Sequence, residues 1–142
     1  VGLAATNAEF ISWILKVKSN IDSGTFRALQ LAAAKAYDND AAWHHEANIE
    51  VYSRRRNIAE QIMEALGCEY DKAQVGMFLW GHIPEKYDNA EELTERVLHE
   101  ARVFITPGFI FGSNGERYVR ISLCAKEEKM AEALKRIKEI KL

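Results

Sequence analysis

The feature that most restricts the fold of this chain is a long central stretch without helix breakers. Residues from Asp40 to Leu66 include neither glycine nor proline, and Gly67 follows directly. Glycine is favoured just past the end of a helix, because it adopts a left-handed backbone conformation without strain. The stretch therefore predicts one long helix, which at ~1.5 Å per residue would extend about 40 Å. A helix of that length is suited to connecting two bodies, one on each side of it in the sequence.

The N-terminal part is predicted to contain a strand and two helices. The apolar run from Val1 to Ala5 predicts a buried strand, and Thr6-Asn7 predicts the cap of a helix. Apolar residues then recur at helical spacing from Glu9 until the turn-forming residues 19–24, and a second helix is predicted from Thr25 to Tyr37. Because Val1 opens directly on the apolar run without an initiator methionine, we expect this chain to be cut from a longer one.

The C-terminal part predicts the order strand, helix, strand, strand, helix. Asn89, followed three residues later by Glu92, is a capping-box signature and marks the start of the first of these helices. Alternating or short apolar runs predict strands at 75–80, 102–106 and 117–124. The sequence as a whole therefore predicts an α+β fold: N-terminal helices and a long connecting helix, then a small β-α-β-β-α subdomain with a short, mostly antiparallel sheet.

Charge and composition disfavour several classes of function. A net charge of −2 and a pI of about 6.1 give no field suited to nucleic acid or anionic membranes. No stretch reaches the roughly 20 apolar residues that a membrane span needs. His44 and His45 are adjacent, so on a helix they would point about 100° apart, unlike a metal-binding pair. Cys68 and Cys124 are isolated, as is typical of reduced thiols in a cytoplasmic protein.

The strongest candidate for a functional residue is Arg120, in the predicted strand 117–124. Strand alternation places Tyr118, Arg120 and Ser122 on one face. The planar guanidinium matches a carboxylate through two parallel hydrogen bonds, and the glycine-rich loop 107–115 comes just before the strand. From the residues alone two interpretations stay open: Arg120 binds the carboxylate of a substrate, or it makes a structural ion pair or lies exposed on an edge strand.

The loop and the strand together resemble the signature of a known family. The run from Thr106 to Gly112, then Gly115, then Tyr118 to Leu123, is similar to the C-terminal signature of class I and II aminotransferases of the fold type I group. Residues 75–80 are similar to the Gly-x-Phe-Tyr-Leu-Trp strand of that family, and residues 16–33 to the helix pair that follows its cofactor-binding core. The resemblance extends over effectively the whole chain.

This resemblance implies an amino-acid aminotransferase dependent on pyridoxal 5'-phosphate, in which Arg120 binds the substrate α-carboxylate. The lysine that forms the Schiff base, in a Ser-x-x-Lys stretch, and the phosphate-binding arginine, in Gly-x-Arg, would precede Val1. The resemblance therefore implies no catalytic and no cofactor-binding residue in this chain, and we expect the chain alone to be inactive. Related lyases and decarboxylases share the arginine, so the reaction type stays open, as does the identity of the amino acid and 2-oxo acid.

The resemblance also implies a division into parts and a partner subunit. Residues 1–38 correspond to the tail of the large cofactor-binding domain, 39–66 to an interdomain helix, and 67–142 to a small subdomain that moves when substrate binds. The implied protein is a cytoplasmic homodimer in which the loop after the first helix approaches the active site of the partner subunit. Asn20 and Ser23 are then candidate contacts across the interface, although Ser23 or nearby residues could instead cap the next helix.

A function of a different class also remains open at this stage. The chain could be a free-standing α+β module that binds a small acid or a protein without chemistry, since fold alone does not decide function. An apolar surface left bare on the first two helices would instead indicate a missing partner domain, and this is the outcome we expect.

Overall fold

The computed structural model describes residues 2–140, and the chain divides into two units between His45 and Glu46. The first unit is helical, with α1 at Ala8–Ile21, α2 at Arg27–Asp38 and the short α3 at Asp40–Trp43. The second unit contains the remaining helices and a small sheet. The predicted α+β fold class is confirmed.

The start of the first unit agrees with the prediction in its cap and differs from it in the strand. The side chain of Asn7 accepts a hydrogen bond from the backbone N–H of Phe10 at 3.0 Å, so Asn7 is the cap of α1. Residues 2–5 form no strand, and Val1 lies outside the described residues. A strand needs a neighbour to satisfy its backbone N–H and C=O groups, and in the part of the chain that is described this segment pairs with none.

The central stretch is helical as predicted, but it is not one uniform α-helix. After α3, a π-helical segment runs over His44–Tyr52, and α4 follows at Ser53–Leu66. Gly67 ends α4 with a φ of 71°, the left-handed conformation that glycine was expected to supply. A π-helix differs from an α-helix in bonding residues five apart rather than four, and the spacing of apolar residues over two turns cannot distinguish the two.

The second unit has a three-stranded sheet with the order β1-β3-β2. The strands are β1 at Phe78–His82, β2 at Thr106–Pro107 and β3 at Tyr118–Ser122, and both pairings are antiparallel. Helix α5 at Ala90–Ala101 lies between β1 and β2 in the chain, and α6 at Glu127–Glu139 follows β3. The predicted order of strand, helix, strand, strand, helix is therefore confirmed.

One face of this sheet packs against helices and forms the core of the second unit. Leu79 and Val119, which lie on this face, are almost fully buried. The core consists of side chains from α4, α5, α6, the sheet and the segments that connect them: Ala59, Ile62, Met63, Leu66, Cys68, Leu79, Ile83, Tyr87, Ala90, Leu93, Val97, Ala101, Ile105, Val119, Leu123, Met130 and Ile137. Their burial is the main source of stability for this unit, because transfer of apolar surface out of water dominates folding.

The ends of α5 explain why β2 is so short. At its start, Asn89 accepts a hydrogen bond from the N–H of Glu92 at 3.0 Å, as the capping box predicted. At its end, Arg102 has a φ of 57°, a left-handed conformation that stops the helix. The strand predicted for 102–106 is therefore wrong over most of its length. Only Thr106 and Pro107 pair with β3.

The outer edge of β1 is covered by the segment that precedes it. The side-chain amide of Gln74 accepts from the N–H of Trp80 at 2.8 Å and donates to the carbonyl of Trp80 at 2.9 Å. Glu69 and His82 exchange backbone hydrogen bonds of 2.9 and 2.7 Å. Arg56 of α4 donates to the carbonyls of Lys72 and Gln74 and holds this segment in place. Because the segment turns back along the edge, the strand predicted from residue 75 starts instead at residue 78.

Candidate functional site

Arg120 lies at the centre of the sheet, on the face opposite the core. It is in the middle strand, and its register partners are Trp80 on β1 and Thr106 on β2. Its neighbour Val119 points into the core, so Tyr118, Arg120 and Ser122 share the other face, as alternation predicted. The residue is half-buried. Because β3 has a strand on each side, the interpretation of Arg120 as an exposed edge-strand charge is wrong.

Three aromatic rings surround the guanidinium of Arg120, and we call Phe78, Trp80 and Phe111 the aromatic cage. The Cζ atom of Arg120 lies 4.1 Å from the ring centroid of Phe78 and 4.0 Å from that of Phe111. The ring of Trp80 is further away, at 5.9 Å, and it packs edge-to-face on Phe111 with centroids 5.4 Å apart. A cation within about 6 Å of an aromatic face is attracted by the electron density of the ring.

Arg120 has a cationic group without an anionic partner in the part of the chain that the structure describes. Its Nε atom is buried and has no hydrogen-bond partner there. Arg117, three residues earlier, differs: it donates to the carbonyls of Pro84, Tyr87 and Asp88 at 2.9 to 3.3 Å. Arg117 is thus a structural residue that fixes the loop before α5. The structural ion pair left open for Arg120 by the sequence is not found among the described residues.

The glycine-rich loop brings Phe111 to the guanidinium. Gly108–Phe111 and Ser113–Gly115 form two short 3-10 turns. A Cβ atom on Gly108 would overlap the carbonyl oxygen of Gly115, and one on Gly115 would overlap that of Gly108. The two glycines therefore allow the ends of the loop to touch, and the loop closes with Phe111 near the sheet.

One hollow is lined by Arg120 itself, and a second is lined by two rings of the aromatic cage. A cavity of about 250 Å³ is lined by Arg120 together with Thr106 and Ser122, whose hydroxyl groups can donate or accept hydrogen bonds. A more open cleft of about 640 Å³ is lined by Trp80, Phe111 and the glycine-rich loop. The arrangement presents a cation and hydroxyl groups in largely apolar surroundings, which is suited to a small carboxylic acid.

The described lysines do not fit the role of a cofactor-binding lysine. All of them are exposed to solvent. A Schiff-base lysine has to lose its proton near neutral pH, and this usually requires an apolar pocket or a neighbouring cation in an enclosed site. No described lysine is therefore a candidate for binding the cofactor.

The structure places the two weaker candidates, Asn20 and Ser23, at the end of α1 in the first unit. The side chain of Asn20 donates to the carbonyl of Lys16 at 2.6 Å, so it is bound to its own helix. Ser23 is exposed, and the cap position of α2 is held by Phe26 without a side-chain hydrogen bond. Ser23 therefore does not cap α2. The role of either residue in contacting a partner subunit stays a prediction.

The first unit leaves its apolar residues exposed, as expected for helices that have lost a partner. No residue of α1 or α2 is buried. Trp13 is 53% exposed and Leu29 is 56% exposed. The exposed apolar surface of these two helices and the loop between them comprises Phe10, Trp13, Ile14, Leu15, Val17, Ile21, Phe26, Leu29, Leu31 and Tyr37. Monomeric soluble proteins rarely expose large apolar patches.

Among residues 2–140 there is no group of three or more His, Cys, Asp and Glu side chains placed to hold a metal ion. None of the helices described is both long enough and apolar enough to cross a membrane.

Comparison with known proteins gives consistent matches. The sequence model of the family "aminotransferase class I and II" matches residues 1–137. The LL-diaminopimelate aminotransferase of Aquifex aeolicus is 39% identical over 142 residues, which is all of this chain and 36% of that protein. The enzyme of the same name from Halothermothrix orenii is 36% identical over 97% of this chain and 35% of its own length. The chain thus spans about a third of the length of the curated relatives that it matches.

Three solved structures match more than 90% of this chain and about a third of their own length. Apo-BacF from Bacillus subtilis has a TM-score of 0.70 and 31% identity over 96% of this chain and 35% of its own. A protein from Methanococcus jannaschii, whose active site is described as similar to those of kynurenine aminotransferases, has a TM-score of 0.73 and 31% identity over 94% of this chain and 36% of its own. A probable N-succinyldiaminopimelate aminotransferase from Thermus thermophilus has a TM-score of 0.68 and 29% identity over 92% and 34%.

Proposed function

Because the chain belongs to the family of class I and II aminotransferases, we propose that it is part of an amino-acid aminotransferase dependent on pyridoxal 5'-phosphate. Its contribution is the residue that binds the substrate α-carboxylate, Arg120, together with the small subdomain that carries it. The observation that supports this proposal is the environment of Arg120, whose guanidinium lies against the rings of Phe78 and Phe111 and has no carboxylate partner among the described residues.

The electrostatics of Arg120 favour an anionic ligand. Moving a charge out of water costs free energy unless a group of opposite charge or a set of hydrogen bonds compensates for it. Arg120 is half-buried among aromatic rings and has no carboxylate partner among the described residues. A carboxylate from a substrate would supply the missing countercharge. Its two oxygens would accept from the planar guanidinium, which fixes the orientation of the substrate as well as its position.

The residues that would bind the cofactor lie outside this chain under the proposal. When bound, pyridoxal phosphate acts as the electron sink of amino-group transfer. The exposed lysines of this chain do not suit its attachment, so the lysine, the phosphate-binding arginine and the other cofactor contacts belong to the part of the protein that would precede Val1. This chain alone is inactive under the proposal, and its residues bind and orient the substrate.

The relatives support an amino acid as the substrate without agreeing on its side chain. Relatives named LL-diaminopimelate aminotransferase and a neighbour named probable N-succinyldiaminopimelate aminotransferase make diaminopimelate and its derivatives the first substrates to test. Another neighbour is named aromatic aminotransferase, from Pyrococcus horikoshii, with 33% identity over 78% of this chain. We assign the α-carboxylate to Arg120, and the side-chain preference to residues outside this chain.

The remaining parts of the proposal concern assembly. We assign residues 1–38 to the large domain, 39–66 to the interdomain helix and 67–142 to the small mobile subdomain of a cytoplasmic homodimer, with Asn20 and Ser23 near the active site of the partner subunit. The exposed apolar surface of α1 and α2 supports a missing large domain rather than a free-standing binding module.

The test is Arg120→Ala in the complete enzyme, with Arg136→Ala as the control because Arg136 lies on an exposed surface of α6. Loss of a charge-assisted bidentate contact costs several kcal/mol, so kcat/KM for amino acids should fall about a hundredfold or more. Cofactor affinity, followed by its absorbance, should stay unchanged. If Arg120→Ala lowers cofactor affinity as much as it lowers kcat/KM, or lowers neither, Arg120 does not bind the substrate.

A further inference from the structure

We infer that Phe78 and Phe111 are positioning residues, which hold the guanidinium of Arg120 in place while leaving its N–H groups available to a carboxylate. The inference rests on the proposed function of Arg120. It adds a role for two aromatic side chains that come from separate elements, β1 and the glycine-rich loop.

Arg117 and Arg120 are held by different kinds of contact. Arg117 is held by carbonyl oxygens, and each of those contacts uses an N–H donor. Arg120 is held differently, with ring centroids of Phe78 and Phe111 at 4.1 and 4.0 Å from its Cζ. The attraction of a ring for a cation involves the electrons of the ring face and no lone pair. A cation held by rings therefore keeps donors that a cation held by oxygens has already used.

The rings of Phe78 and Phe111 are both partly exposed. Phe78 is 40% exposed and Phe111 is 50% exposed, and neither belongs to the core of the second unit. Since neither ring packs in the core, their contact with Arg120 is not a consequence of core packing. Phe111 is further supported by the edge of Trp80, at 5.4 Å.

An arginine side chain that is held in place before the ligand arrives binds that ligand more tightly. A free arginine side chain has many rotamers, and ordering it when a ligand arrives reduces affinity. Rings that already hold the guanidinium remove most of that cost. They also exclude water from the contact, which strengthens the attraction between guanidinium and carboxylate. Loss of one ring should therefore weaken binding of carboxylates and leave binding of uncharged analogues unchanged.

The experiment compares Phe111→Leu, Phe111→Tyr and Phe109→Leu in the complete enzyme. Phe109 is a matched control, because it lies on the same loop with similar exposure and, among the described residues, makes no ring contact with Arg120. The probes are the amino-acid substrate, the inhibitor propionate, and propionamide, which has the shape of propionate without its charge. Thermal unfolding of each variant checks that it is folded.

We expect Phe111→Leu to raise both KM and the inhibition constant of propionate about three- to thirtyfold, with kcat and the inhibition constant of propionamide nearly unchanged. Phe111→Tyr, which keeps a ring, should restore the wild-type constants, and Phe109→Leu should match the wild type. Phe78→Leu should repeat the result of Phe111→Leu from the other side of the cage, and it replaces that variant if Phe111→Leu does not fold.

Two results would overturn the inference. One is a propionate inhibition constant for Phe111→Leu and Phe78→Leu within twofold of the wild type; the other is an equal change for propionate and propionamide, which would indicate a general loss of packing. Arg120→Lys separates this failure from failure of the proposed function. If Arg120→Lys weakens propionate and the ring variants do not, only the positioning role is wrong, whereas if Arg120→Lys has no effect, the carboxylate assignment itself is wrong.

Discussion

Replacement of Gly108 by alanine is expected to destabilise the second unit much more than replacement of Gly81. Both glycines are buried, and neither has a positive φ, so conformational strain does not distinguish them. They differ in what a new methyl group would meet. At Gly108 it would lie 2.7 Å from the carbonyl oxygen of Tyr118 and nearer still to that of Gly115. At Gly81 it would lie 2.7 Å from the Sδ atom of Met63.

The expected free-energy costs of the two substitutions differ because the atoms next to the two glycines differ in how easily they can move. Backbone carbonyls at Gly115 and Tyr118 can retreat only if the loop opens or β3 shifts, so Gly108→Ala should cost about 3 kcal/mol or more, the upper end for overpacked sites. Met63 has a flexible thioether that can change rotamer. Gly81→Ala should therefore cost about 1 to 1.5 kcal/mol, at the lower end of the same range.

Urea unfolding followed by far-ultraviolet circular dichroism gives both free energies of unfolding, provided that the dependence on urea concentration is the same in all variants. Gly108→Ala should also reduce binding of propionate in the complete enzyme, because Phe111 is carried by the same loop. The reasoning is refuted if Gly81→Ala costs as much as Gly108→Ala, or if Gly108→Ala costs less than about 1 kcal/mol.

Three further predictions concern the rest of the chain. Asn89→Ala removes the cap of α5 and should lower the free energy of unfolding by about 1 kcal/mol; an unchanged urea midpoint would contradict the role of the cap. Burial raises the pKa of the Cys68 thiol to about 12, from an ordinary 9.0, so a thiol reagent at pH 8 should label exposed Cys124 quickly and Cys68 only after unfolding. Equal labelling of both thiols in the folded chain would show that Cys68 is accessible. The unfolded chain loses the Cys68 proton near pH 9, whereas the folded chain keeps it to a higher pH. The free energy of unfolding of the second unit should therefore decrease as the pH rises above 9. The 142-residue chain alone should self-associate through the exposed apolar surface of α1 and α2 and bind a hydrophobic dye, and a monodisperse monomer that binds no dye would argue against a missing partner domain.

The sequence was sufficient to predict the fold class and the face on which Arg120 lies. Caps and breakers are local signals, and the cap residues Asn7 and Asn89 and the terminator Gly67 were found where they were expected. Alternation along β3 depends only on the period of a strand, so it placed Tyr118, Arg120 and Ser122 together correctly.

Strand ends and the π-helical segment could not be predicted from local patterns of residues, and the spacing of apolar residues does not distinguish a π-helix from an α-helix over two turns. The start of β1 at Phe78 depends on the segment that folds back along its edge, and the shortness of β2 depends on the left-handed conformation of Arg102. Arginine rarely adopts that conformation, so nothing in its identity signalled it.

The aromatic cage was missed for a similar reason. The alternation around residues 75–80 did place Phe78 and Trp80 on one face, which is a local signal. Their position beside Arg120 depends on the register between β1 and β3, and that of Phe111 on the closure of the glycine-rich loop. The loop contains three large apolar residues, and this was the one feature of the sequence that indicated packing of the loop against other side chains.

The side chain of Gln74 occupies the outer edge of β1 at Trp80. A strand at the edge of a sheet is a template on which a strand from another molecule can add, and repeated addition leads to aggregates. At Trp80 the template is occupied by a side-chain amide, which satisfies the backbone on one side and offers no further strand on the other. At this point β1 is therefore closed to a further strand. Gln74→Ala would leave the N–H and carbonyl of Trp80 without these partners, while the backbone pairing of Glu69 with His82 would still cover the end of the strand.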